Sequence, residues 1–256
     1  MIIKHYYDFG EAINDQIGKD GGGLTQSAWD LLRTESEDKA FAFVESDKET
    51  YADMCAGRMD CRNMAHEILD MMGRNRVNDR IVSLGCGKGI LEWNLKNLKP
   101  NLHIECTDYT SKGIKVLKEV FPECDEIYEF DMLNASHYQK IRQKDQVLLL
   151  YRVSTEFDFQ TWKKIFQDIY QNDFRYILFV PTEICTLKIA WNELKRYVYH
   201  LLKGEGRVKN VFCGYLYSKK VFEKMWKDYF KIKEGKKVGD TIIYLLERSD
   251  DKRAEN

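Results

Sequence analysis

The chain has 256 residues, 40 Lys and Arg against 41 Asp and Glu, and a net charge of −1. A hydrophobic content of 44% excludes intrinsic disorder, and the balanced charge lacks the basic excess that gives proteins non-specific affinity for nucleic-acid phosphates. No apolar run approaches the ~18 residues of a membrane helix and the opening residues lack the pattern of a secretory signal, so a soluble cytoplasmic protein is expected, with neither a membrane nor a nucleic-acid partner.

Residues 1–49 show little periodicity apart from a short helix near Gln26–Leu32. The run Gly21-Gly22-Gly23 ahead of it reads as a flexible loop, with a hinge that lets residues 1–40 close over a ligand as its functional alternative. Thr50 to Met72 carries apolar residues at helical spacing and predicts one long helix. From Arg80 onward, short apolar runs alternate with helical patterns, the signature of a parallel sheet wound with helices. The runs are Ile81–Leu84, Leu102–Cys106, Ile127–Phe130, Val147–Leu150 and Tyr176–Val180. Residues 186–202 read as an inserted helix with a stripe through Leu187, Ala190, Trp191, Leu194, Val198 and Leu201, its aromatics Trp191, Tyr197 and Tyr199 serving as core or as one wall of an acceptor pocket. A helix starting at Ser218 and a terminal hairpin follow, the hairpin made of Phe230–Lys233 and Thr241–Leu246 around a turn containing Gly235 and Gly239-Asp240. Seven cysteines, odd in number and without a Cys-x-x-Cys pair, predict neither a disulfide framework nor a metal site.

Chemistry concentrates where the first of these strands runs into a helix through Gly85-Cys86-Gly87-Lys88-Gly89. Glycines permit a sharp turn and close approach of a ligand, and a helix N-terminus offers free N–H groups. Asp108, closing the next strand, supplies a carboxylate able to accept from ribose hydroxyls. A dinucleotide fingerprint would place its third glycine one residue later, where Ile90 stands.

Gly-x-Gly-x-Gly followed by an acidic residue at the end of the next strand resembles the class I S-adenosylmethionine-dependent methyltransferases. Phe130-Asp131-Met132, Asp145 before the fourth strand and the terminal hairpin extend the resemblance over residues 76–182 and 218–248. It implies an α/β three-layer sandwich with a seven-stranded, mostly parallel sheet whose seventh strand is antiparallel. The expected organisation is a helical cap (1–75), a core (76–248) with a helical insertion at about 183–217, and a polar tail (249–256). The resemblance implies S-adenosylmethionine as cofactor, held by Gly85, Cys86, Gly87, Gly89, Asp108, Tyr109, Asp131, Met132 and Tyr151, with Tyr109 and Met132 flanking the adenine. Where the family often has an acidic residue, two positions before the first glycine, this chain has Ser83.

Methyl transfer needs alignment more than a strong catalytic group, but a hydroxyl acceptor gains from a general base. Glu156, His137 and His200 are the candidates, and Tyr151 and Arg152 end the fourth strand beside the expected site. A small-molecule acceptor is expected, oxygen ahead of nitrogen. The alternatives are an RNA or protein methyltransferase and a catalytically degenerate binding subunit. Oligomeric state is left open.

Overall fold

The computed structural model describes residues 1–7, 25–36, 42–43, 47–141, 146–202 and 211–249. The expected apolar runs are strands: β2 (Arg80–Leu84), β3 (His103–Asp108), β4 (Glu126–Glu129), β5 (Val147–Tyr151) and β6 (Tyr176–Val180). With β8 (Phe230–Val238) and β9 (Thr241–Arg248) they form one sheet in the order β4-β3-β2-β5-β6-β9-β8. β2 to β6 pair in parallel, and β9 runs antiparallel to both of its neighbours.

The central runs lack polar alternation because both faces of the sheet are covered. Ile81, Leu149, Leu178 and Leu245 point to one face, packed against Ile68, Leu91 and Leu117. Their chain neighbours Val82, Leu148, Ile177 and Leu246 point to the other, against Trp162, Phe166 and Trp226. The helices that supply these layers are α3 (Met59–Arg74), α4 (Ile90–Leu98) and α5 (Ser111–Val120) on the first face, and α7 (Phe159–Gln171) and α9 (Lys219–Trp226) on the second. The short helices α1 (Gln26–Glu35) and α6 (Ala135–Ile141) complete the body, with α2 (Lys48–Gly57) preceding α3.

Four expectations need correction. The single helix Thr50–Met72 is two, α2 and α3, broken at Arg58 (φ −86°, ψ 77°). The six-residue step between buried Cys55 and buried Cys61 fits no helical repeat, and the break absorbs the slip. Gly235 lies inside β8 rather than in its turn, which contracts to Gly239-Asp240, and a register shift falls between Ile232 and Glu234. The inserted helix, α8 (Leu187–Leu202), exposes Leu187, Trp191, Leu194 and Val198 instead of burying them, and none lines the main cleft. Finally, the cap and the insertion share an antiparallel ribbon, β1 (Ile2–Tyr7) with β7 (Val211–Tyr217), pairing Ile3 with Leu216 and Lys4 with Tyr215. Gly21–Gly23 and Asp145 lie outside the described residues.

Candidate active site

The cleft opens at the carboxyl edge of the parallel strands and has a volume of 1230 Å³. Its floor is the turn between β2 and α4. Gly85 and Gly87 adopt left-handed φ of 73° and 60°, and a Cβ at Gly85 would lie 2.7 Å from Val153 Cγ1. Asp108 fixes the turn from the side. Its Oδ2 accepts from the Gly87 N–H at 2.7 Å, while Oδ1 accepts from the Thr110 N–H at 3.0 Å and the Thr110 hydroxyl at 2.8 Å. Asp108 thus ties the glycine turn to the start of the next helix; Oδ1 is doubly engaged, and Oδ2 keeps one acceptor site. Gly89 belongs to packing, not to the cleft wall: it precedes α4 with φ 67°, and a Cβ there would meet Leu117 and the Tyr51 hydroxyl.

Cys86, Tyr109, Asp131, Met132 and Tyr151 all line the cleft, as expected of a continuous site. Tyr109 is 40% exposed, and its carbonyl accepts from Gln26 Nε2 at 2.8 Å. Asp131 Oδ1 accepts from the Leu133 N–H, which closes a local turn and holds Met132 beneath Gly85. Tyr151 ends β5 with its hydroxyl 3.8 Å from Cys61 Sγ, and burial pushes the phenol well above its ordinary range, so it stays neutral. Arg152 follows with φ 59°, held by its N–H to Val180 O and by the Thr182 hydroxyl on its own carbonyl. A non-glycine residue in that region stores strain of about 1–3 kcal/mol, which surrounding contacts must hold.

The three base candidates separate. Glu156 lines the cleft in the loop after β5. Burial, reinforced by Asp108 and opposed by Arg33, raises its carboxyl to about 8. His137 does not reach the cleft: Nδ1 accepts from the Asp131 N–H, the ring packs edge-on against Phe130, and it borders a separate cavity with Glu105, Tyr128 and Lys140. The sequence placed it after the third strand but could not give its direction. The His200 side chain lies outside what is described.

Three features escaped the sequence reading. First, α1 covers the turn: Arg33 stacks on Trp29 at 5.2 Å, and its Nη2 lies 3.0 Å from where a Gly87 Cβ would stand. Asp30 docks the same helix on the start of α5, accepting from the Lys112 N–H at 3.0 Å and from Ser111 at 3.3 Å. Second, the break before α3 brings Arg58 and Asp60 to the cleft as a two-point pair at 3.0 and 2.9 Å. Third, Ser83 donates to Glu92 Oε1 at 2.5 Å in the first turn of α4. Glu92 is 1% exposed, and burial raises its carboxyl to about 7. The small hydroxyl at 83 is the signal that could have found it, since a serine in an otherwise apolar strand leaves room for a buried polar partner.

No protein-family model and no curated protein matches the chain. Solved structures do. The magnesium protoporphyrin IX methyltransferase of Synechocystis PCC 6803, solved with bound S-adenosylhomocysteine, is 13% identical with a TM-score of 0.54, covering 73% of this chain and 83% of its own. The PH0226 protein of Pyrococcus horikoshii OT3 is 16% identical at a TM-score of 0.54, over 78% and 95%. The mitomycin 7-O-methyltransferase MmcR is 16% identical at 0.50, and this chain spans 49% of its length. These likenesses accompany the observed strand order and the lone antiparallel β9. The chain has the class I methyltransferase fold. In that fold the glycine turn, Asp108 and the end of β5 share the carboxyl edge of the sheet, where open α/β sheets bind ligands.

Proposed function

We propose that the chain is an S-adenosylmethionine-dependent methyltransferase acting on a small molecule in the cytoplasm, with an oxygen acceptor favoured over nitrogen. The observation that carries this reading is one continuous cleft faced by the glycine turn, Asp108 and the half-buried Glu156. Its volume exceeds the ~300–1,000 Å³ of a single-ligand pocket, in keeping with a donor and an acceptor side by side.

The residues present fit the cofactor. Positive-φ glycines keep Cβ atoms off the floor, and Asp108 Oδ2 retains one acceptor site for a ribose hydroxyl. Tyr109, Asp131 and Met132 line the neighbouring wall for a flat heterocycle. When bound, S-adenosylmethionine supplies a methyl group activated by its sulfonium for in-line displacement. Glu156 takes the proton of an acceptor hydroxyl as its oxygen becomes the nucleophile, a task suited to a carboxyl held near 8. Tyr151, neutral and beside Cys61, orients ligands by hydrogen bonding without exchanging protons. The near-zero net charge supports a small acceptor over a polyanionic one.

Calorimetric titration with S-adenosylmethionine and S-adenosylhomocysteine, followed by transfer of labelled methyl to a panel of phenols, other alcohols and amines, tests the reading. Binding together with transfer to a hydroxyl supports it. Failure to bind either compound removes it, and transfer confined to RNA or protein overturns the acceptor class.

A further inference from the structure

Glu92 presents a chemical demand that the protein itself does not meet. It is 1% exposed, and while Oε1 accepts from Ser83, Oε2 is buried without a hydrogen-bond partner. An unsatisfied buried carboxylate oxygen is costly, and persistent exceptions call for an occupant. The residue also lines the cleft beside Gly85 and Cys86, so the orphan oxygen belongs to the wall of a binding site.

The surrounding groups specify the occupant. Asp108, on the other flank of the glycine turn, adds negative charge and raises the Glu92 carboxyl, while Ser83 lowers it. Cys61 and Cys86 feel Glu92 as a negative neighbour, and so does the buried Tyr51 phenol. A neutral hydroxyl would satisfy one lone pair and leave the negative charge that Glu92 shares with Asp108 uncompensated. A ligand ammonium supplies the missing donor and the missing positive charge together, as a charge-assisted bond. We propose that Glu92, positioned by Ser83, is the anionic anchor for the α-ammonium group of the methyl donor's amino-acid end. The proposal rests on the donor reading above and adds to it the residue that grips the end remote from the nucleoside.

The test compares S-adenosylhomocysteine with 5′-methylthioadenosine, which keeps the nucleoside and thioether but lacks the amino-acid end. In calorimetry at pH 8, Glu92→Gln is expected to weaken S-adenosylhomocysteine by roughly 10- to 100-fold while leaving methylthioadenosine within about twofold of the parent. A second measurement needs no variant. At pH 7, in buffers of different ionisation heat, the parent is expected to release a fraction of a proton on binding S-adenosylhomocysteine and none on binding methylthioadenosine, because the ammonium ionises the carboxyl. Equal loss of both compounds in the variant, or unchanged affinity for both, overturns the anchor, as does equal proton release. A parent that binds neither compound overturns the donor reading instead, so the two failures are distinguishable.

Discussion

Replacing Glu92 with Gln should stabilise the ligand-free protein, and only at high pH. Burial moves this carboxyl from 4.5 to about 7 in the folded state. The folded protein then holds the proton more tightly than the unfolded chain. The stability this gives is fully present below about pH 4.5 and is lost as pH rises to about 7. At 1.36 kcal/mol for each pH unit, ionising the side chain in place costs about 3 kcal/mol. Gln keeps the shape and an oxygen for Ser83 to donate to, but never ionises. For a chain of this length about 2 °C of melting temperature accompanies each kcal/mol, so the variant should melt about 6 °C above the parent near pH 8.5 and within about 2 °C of it near pH 5. Thermal melts of both proteins without ligand at the two pH values decide the matter. An equal difference at both, or a less stable variant near pH 8.5, would refute the reasoning that a buried charge is held there for function at the expense of stability.

Other substitutions probe the remaining parts of the site. Gly85→Ala forces a Cβ into a left-handed position 2.7 Å from Val153 Cγ1, and should lower stability by about 2 kcal/mol in denaturant titrations, with partial recovery when Val153→Ala is added. Asp108→Asn should reduce S-adenosylhomocysteine affinity by roughly 10- to 100-fold and also lower the melting temperature, because one of the Gly87 and Thr110 donors loses its acceptor; a binding loss with no thermal change would mean that the carboxylate does not pin the turn. With a hydroxyl acceptor, kcat should rise with pH through about 8 as Glu156 ionises, and Glu156→Gln should lower it by roughly 10²- to 10⁴-fold and abolish that limb while leaving donor affinity near the parent's. Gly214→Ala would set a Cβ 1.8 Å from Thr155 O and should detach β7 from the Glu156 loop, detected as loss of turnover with near-parent binding of methylthioadenosine.

The parallel core was legible because its signals are local. A short apolar run such as Val147–Leu150, set between helical patterns, reads as a strand covered on both faces, and Trp162, Ile165, Phe166 and Ile169 recur at helical spacing. Gly85, Gly87 and Asp108 were legible because the task dictates residue type at fixed spacing. What was missed depends on direction or distance. Glu92 in a first helical turn reads as an acid favoured by the helix dipole, and only the approach of Ser83 from β2 shows it to be buried. Arg33 sits in a helix that carries no motif, and docking through Asp30 places it over the turn. His137 does follow the third of the apolar runs, but it sits on α6 and faces a separate cavity, a matter of direction that spacing does not encode. β1 and β7 are each rich in β-branched and aromatic residues, yet nothing local tells either which segment it pairs with.

That ribbon has a kinetic consequence. Most contacts of the parallel sheet join neighbouring strand–helix units, whereas Ile2 opposite Tyr217 closes nearly the whole chain. The entropy of closing so long a loop is lost before the pairing contributes anything in return. The ribbon in turn seats the loop bearing Glu156, through the Tyr215 N–H on Thr155 O at 2.8 Å and the Tyr217 hydroxyl on Phe157 O at 2.7 Å. In refolding, burial of Trp162 and Trp226 should therefore restore fluorescence before the acceptor side of the cleft takes shape, giving a short-lived species with a finished core and an unset base.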